Sequence, residues 1–224
     1  MPPDTRQRIL DTARALFNEQ GVHRVGVRDL ARALGMSPGN LAYHFATKDD
    51  LISALVLEVH ALNSRLVFAA LPPEFSLVAL YLAARAVMER SLAYRFVLLS
   101  YVDAVRASPR LLELETSLEA KRRARSDQMM ALLCKNGYVD RRRTSARADL
   151  IYEQGRFISS GWLAAALLYP EGRDDAQAVL HHAKVGCALL EPYCTAKGLR
   201  QMRQILAGAH DGPLPAAPLT PRTS

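Results

Sequence analysis

The run Ser37-Pro-Gly-Asn-Leu-Ala-Tyr-His-Phe-Ala-Thr-Lys-Asp-Asp-Leu-Ile constrains the fold more than any other stretch of this 224-residue chain. It holds two helix starts in close succession. Ser37 is an N-cap residue followed by proline at the first helical position, where a missing N–H costs nothing. Thr47, with Asp50 three residues on, has the pattern of a capping box. Between them, Leu41 and Phe45 stand four apart, the inward pair of one short helix. A chain punctuated this way folds locally into short helices set at angles to one another.

The flanking residues extend the pattern. Ile9, Leu10, Ala13, Leu16 and Phe17 recur at helical spacing and stop at Gly21, while Val27, Leu30, Ala31 and Leu34 form a second stripe ended by Gly35. Only Gly35-Met36-Ser37 joins the second helix to the third, which forces a sharp turn. Two short helices so joined are either an ordinary packing unit or a helix-turn-helix, whose second member lies in the major groove of DNA. From Thr47 a fourth helix buries Leu51, Ile52, Leu55, Val56, Val59 and Leu62 and is expected to reach Leu71, before Pro72-Pro73.

The remainder reads as helix throughout. Leu77 to Val105 suggests two helices broken near Ala93–Arg95; Ser108-Pro109 starts another that reaches Asn136-Gly137. Apolar, small-residue-rich 145–169, then 174–192 and 195–206, complete the series. No strand alternation and no repeat is present, so the fold class is all-α. The expected organisation is a helix-turn-helix domain over 1–50, a connecting helix over 48–71, and a helical effector-binding and dimerisation domain over 74–208. Residues 209–224, with four prolines and no periodicity, are expected to be a disordered tail.

Charge does not locate a nucleic-acid surface. The net charge is +7, yet residues 1–60 carry seven basic and seven acidic side chains, so the surplus lies in 61–224. The runs Lys121–Arg125 and Arg141–Arg143 can make a second basic patch, but a solvated helix face and a loop account for them more simply. Cys134, Cys187 and Cys194 show no metal-ligand spacing and read as buried thiols. No signal-peptide core and no membrane-length apolar run is evident, so a soluble, cytoplasmic protein with no membrane partner is expected. Enzyme motifs are missing: there is no G-x-S-x-G, no phosphate-binding glycine loop, no H-E-x-x-H and no sign of a cofactor or metal site.

At this point the residues resemble a known family. Arg8-Ile-Leu-Asp-Thr-Ala-Arg-Ala-Leu-Phe, Gly21, Val27-Arg-Asp-Leu-Ala, and the run from Ser37 to Leu51 together are similar to the N-terminal module of TetR/AcrR-type transcriptional regulators. Tyr94-Arg95-Phe96, Ser108-Pro109-Arg110-Leu111, Gly137 and Glu191-Pro192-Tyr193 with Thr195 carry a weaker likeness to one C-terminal subgroup. The resemblance implies a homodimer on a palindromic operator in double-stranded DNA, mostly a repressor that releases DNA when a small-molecule effector binds. The implied DNA-facing set is Arg28, Ser37, Gly39, Asn40, Tyr43, His44 and Lys48. Chemistry agrees with it: Asn40 suits an adenine edge, Arg28 a guanine or a phosphate, Lys48 a phosphate, and Gly39 permits close approach. Where the family often has tyrosine, this chain has Ala42. A small-molecule carrier with a non-operative head, or an activator of the same family, stands as the alternative.

Two further sets follow as expectations. Gly155, Ser159, Ser160 and Ala164 would let two copies approach closely at a dimer interface along the helices over 145–168 and 174–192. Tyr81, Met88, Phe96, Tyr101, Met129, Tyr152 and Trp162 are candidates to line a pocket for an apolar or amphipathic effector, although for any single one of them plain core packing is the more common role.

Overall fold

The computed structural model of the chain describes residues 5–214, apart from the side chains of Val97 and Leu98. These residues form α1 (Thr5–Gln20), α2 (Val27–Leu34), α3 (Pro38–His44), α4 (Lys48–Val67), α5 (Leu77–Leu92), α6 (Arg95–Ala107), α7 (Pro109–Lys135), α8 (Arg141–Ser145), α9 (Ala148–Leu168), α10 (Asp175–Ala188) and α11 (Ala196–Leu206). Single 3₁₀ turns at Val22–Arg24 and Glu191–Tyr193 complete the list. Among the described residues no strand occurs, and one isolated antiparallel bridge pairs Val139 with Cys194. The all-α expectation holds.

Arg141–Arg143, expected in a loop, instead open the short helix α8, where the Asp140 carboxylate caps the Arg143 amide, and two helix ends also differ from the sequence reading. α4 stops at Val67 rather than Leu71. Pro72 restricts the residue before it, and the Ala69 carbonyl accepts from the Arg125 guanidinium instead of continuing the helix. α10 stops at Ala188 rather than Pro192, because a proline there would clash with the carbonyl four residues back. Its start is as expected: Asp174 accepts from the Gln177 amide at 2.8 Å and Gln177 Oε1 accepts from the Asp174 amide at 3.0 Å.

The chain divides into two compact units, Met1–Leu62 with Ser91–Ser117, and Asn63–Arg90 with Leu118–Ser224. The first unit therefore holds more than the helix-turn-helix. Its core joins Ile9, Leu10, Phe17, Leu30, Leu41, Leu51, Leu55 and Val56 to Tyr94, Phe96 and Leu111. Phe17 and Phe96 stack with ring centroids 5.4 Å apart. Asn18 stitches this junction, donating from Nδ2 to the Ala93 carbonyl at 2.7 Å while its Oδ1 accepts from the Phe96 amide at 3.3 Å. Arg14 donates to the Tyr94 hydroxyl at 2.9 Å and lies over its ring. A bundle of α1 to α4 alone would leave part of this apolar surface wet; α6 and the start of α7 cover it.

The second unit is centred on Leu77, Tyr81, Leu133, Trp162, Val179, Ala183, Met202 and Ile205, all at most 3% exposed. Gln201 Oε1 accepts from the Leu77 and Val78 amides and so caps α5 from α11. Asn136 donates to the carbonyls of Pro73 and Phe75. The expected disordered tail falls mostly outside the described residues, but its first part departs from that reading: Asp211 accepts hydrogen bonds from Tyr81 and Lys184.

Candidate nucleic-acid interface

Local sequence chemistry sets the two short helices of the first unit. The Gly26 amide donates to Asp29 Oδ2 at 3.0 Å, opening α2. Gly35 closes α2 at φ 65°, a left-handed conformation that glycine adopts without strain, and the Met36 amide returns to the Ala31 carbonyl at 3.0 Å. Ser37 Oγ then accepts from the Asn40 amide at 3.2 Å, with Pro38 in the first turn of α3. Leu30 and Ala31 anchor α2, and Leu41 with Phe45 anchor α3, each no more than 7% exposed.

With the inward face so committed, the outward face of α3 is settled by the helical repeat. Gly39, Asn40, Ala42 and Tyr43 are exposed, and Ser37 and Arg28 are exposed beside them in sequence. Tyr43 is 85% exposed, which is unusual for so large an aromatic and leaves it no part in the core. His44 is half-buried, edge-on to Tyr43 with ring centroids 5.3 Å apart. Arg6 lies over the Phe45 ring at 4.9 Å, supporting the end of α3 from α1.

Lys48 is placed differently from its neighbours. It is half-buried, its ammonium donates to the Val22 carbonyl, and its stem runs past Phe17 with the nitrogen 5.9 Å from the ring centroid. Its first role is thus a strut from α4 to the 3₁₀ turn, with two further N–H donors left on the ammonium. Asp50 does cap: Oδ2 accepts from the Thr47 amide at 3.0 Å and from its hydroxyl at 2.8 Å, while the Asp50 amide donates to Thr47 Oγ1 at 3.1 Å.

The seven residues assigned to an effector pocket are not all in one unit. Phe96 belongs to the core of the first unit, and Tyr101, also there, lies 3.1 Å from His60 Nε2. Sequence spacing could not tell these two from residues of the second unit, because α6 packs by tertiary choice. In the second unit Tyr81 is fully buried, Met88 and Trp162 are nearly so, and Met129 and Tyr152 are half-buried. Tyr152 donates to Glu119 Oε1 at 3.0 Å beneath Arg123, and burial together with that carboxylate raises its pKa. Two surface hollows, of about 450 and 630 Å³, both lie in the first unit and touch none of the seven. The larger runs from Arg6 past His44 and Phe45 to Arg110.

The dimer set also separates. Gly155 is half-buried, and an added Cβ would sit 3.9 Å from Cδ2 of Leu189, just past the end of α10, an ordinary contact within the chain. Ser159, Ser160 and Ala164 are exposed. On the same helix, Leu150, Phe157 and Leu168 are 54%, 67% and 71% exposed, an apolar stripe the sequence reading passed over. The apolar seven- and eleven-residue spacings, both close to whole helical turns, were its available signal.

The cysteine reading holds for two of three. Cys187 and Cys194 are buried, and burial pushes their thiols up to about 12 and about 11, so both stay protonated at neutral pH. Cys134 is half-buried, 3.5 Å from Thr144 Oγ1. No helix among the described residues is long and apolar enough to cross a membrane.

Comparison with known proteins adds three findings. The family described as bacterial regulatory proteins, tetR family, matches residues 9–55, and the family described as bacterial transcriptional repressor matches residues 60–202. The Escherichia coli K12 regulator UidR is 41% identical over 54 residues, and the chain spans only 28% of its length (24% of this chain). KstR2 of Mycobacterium tuberculosis H37Rv, a transcriptional repressor, is 26% identical over 179 residues, covering 78% of this chain and 86% of that one. A TetR-family regulator from Marinobacter aquaeolei VT8 shares the fold at a TM-score of 0.79 and 21% identity, covering 92% of this chain and 97% of its own.

Proposed function

Because the chain belongs to the TetR family of bacterial transcriptional regulators, we propose that it is a cytoplasmic homodimer that binds a palindromic operator and leaves it when a small-molecule effector binds. One observation carries the DNA-binding part. α3 is anchored from behind by Leu41 and Phe45 and, with its cap, presents Ser37, Gly39, Asn40 and Tyr43 to solvent, exposed among the described residues. A polar amide and a large exposed phenol on a capped helix are what base edges and phosphates require. At Ala42 a small apolar side chain favours contact with a thymine methyl. Selection of DNA fragments by the purified protein, followed by affinity measurement across a salt series, tests the reading. One enriched palindrome bound with a steep salt dependence is expected; equal, weak binding to all fragments would favour the small-molecule carrier instead.

Lys48 separates positioning from reading. Lys48→Met keeps the stem beside Phe17 and removes the charge. It should weaken operator and random DNA alike and lower the salt slope by about one. Unchanged affinity for both would leave Lys48 only its bond to the Val22 carbonyl.

Dimerisation is supported by the exposed stripe of α9. Large apolar side chains left in water at Leu150, Phe157 and Leu168 are a surface a second copy can cover, with Ala164 small enough for two helices to meet. Ala164→Arg should give monomers in sedimentation and, with them, loss of operator binding, since two α3 helices must reach successive major grooves about 34–36 Å apart. Dimers that persist in this variant would move the interface elsewhere. The effector belongs to the second unit, which the DNA-contacting helices do not need for their own core. Its binding must favour one state over the other, and DNA must change effector affinity by the same factor.

A further inference from the structure

Within the second unit, two helices aim donors at one carboxylate, and at the backbone around it, that neither of them carries. α5 supplies Tyr81, fully buried, and Arg85, 8% exposed; α10 supplies Lys184. The carboxylate is Asp211, on a strap of residues 208–212 that follows α11. The Tyr81 hydroxyl donates to Asp211 Oδ1 at 2.7 Å and Lys184 Nζ to Oδ2 at 2.6 Å. Arg85 Nη1 holds the strap on either side, donating to the Gly212 carbonyl at 2.6 Å and to the His210 carbonyl at 3.4 Å, while its Nε pairs with Glu89 at 2.7 Å.

The strap folds back through Gly208, at φ 84°, where a Cβ would lie 2.9 Å from Asp211 Oδ2. Burial alone would raise the Asp211 carboxyl, but the hydrogen bonds from Lys184 and Tyr81 and the charges of Lys184 and Arg85 outweigh it and hold the group below its usual range. The strap fits imperfectly in one respect. Among the described residues His210 Nε2 is buried with no hydrogen-bond partner, a cost that departure of the strap would relieve.

The donors are thus built into helices of the core, and the acceptor rides on a short segment beyond them. We propose that Tyr81, Lys184 and Arg85 form a binding site for a small carboxylate, occupied in this structure by the chain's own Asp211 and available to a free carboxylate when the strap leaves. A tethered carboxylate competes at an effective concentration in roughly the millimolar range. A displacing ligand therefore needs an apolar or polar body that adds contacts beyond its carboxylate. The site lies wholly in the second unit, so it does not depend on what the first unit binds.

The test is chemical rescue in the full chain. Asp211→Ala removes one carboxyl group and leaves room for formate. The variant should melt below the wild type in chloride, and formate at equal ionic strength should restore at least half of the loss, after subtraction of any effect of formate on the wild type. Formamide, of the same shape and without charge, should restore none, and adding Lys184→Met should abolish the formate effect. A variant that melts with the wild type, or a loss that formate and chloride treat alike, overturns the proposal. If Asp211→Ala folds in neither salt, Asp211→Asn decides. Melting below the wild type supports a site selective for carboxylate, and melting with the wild type overturns it.

Discussion

Replacing Arg28 and Asn40 together by alanine is expected to weaken operator binding by about 2–6 kcal/mol, from about 1–3 kcal/mol for each side chain that reaches a base edge. At 1.4 kcal/mol per decade this is a loss of about 30-fold to 10⁴-fold, with specificity relaxed at the corresponding positions of each half-site. The fold should survive. Both side chains are exposed, and the helices that carry them are anchored by other residues, Leu30 and Ala31 in α2 and Leu41 in α3. The Ser37 cap acts through the Asn40 backbone amide, which alanine retains. Anisotropy titrations of wild type and variant at one salt concentration, with far-ultraviolet circular dichroism as the control, make the comparison. An unchanged operator affinity in a folded variant would remove these helices from the DNA interface.

The second large effect is on stability and comes from Gly198. In the second unit, residues 137–140 pair with 193–195: the Asp140 amide donates to the Tyr193 carbonyl at 2.8 Å and the Thr195 amide to the Tyr138 carbonyl at 3.0 Å. Thr195 then caps α11, its Oγ1 accepting from the Gly198 amide at 3.2 Å and donating to the Gly137 carbonyl at 2.6 Å. α11 is so close to this turn that a Cβ on Gly198 would lie 2.0 Å from the Tyr138 carbonyl oxygen. Backbone stands on both sides of the clash, so no rotamer change can relieve it. Gly198→Ala should cost about 3 kcal/mol or more, at the upper end of overpacking effects, and lower the melting temperature by roughly 6–12 °C for a unit of this size. Gly39→Ala is the internal control: an added Cβ there meets nothing nearer than Ser37 Oγ at 4.0 Å, so stability should hold. A Gly198 variant that melts with the wild type would mean that α11 does not pack on Tyr138.

What the sequence determined by itself was local. Ser37-Pro38, Thr47 with Asp50, Gly21 and Gly35 set helix starts and stops through bonds that span at most five residues, and those bonds form as read. The outward face of α3 was equally legible, because Leu41 and Phe45 commit one side of a helix and the helical repeat then assigns the other. Tertiary structure decided whatever depends on residues distant in the chain. Phe96 and Tyr101 look like any aromatic pair on a helix until Phe17 and His60 claim them for the first unit. Lys48 looks like a free phosphate contact until the Val22 carbonyl takes one of its donors. Asp211 looks like part of a loose tail until Tyr81 and Lys184 hold it across some 130 and 27 residues. Helix caps and periodicity are written in neighbouring residues, whereas these partnerships arise only once the burial of apolar faces has chosen which helices lie together.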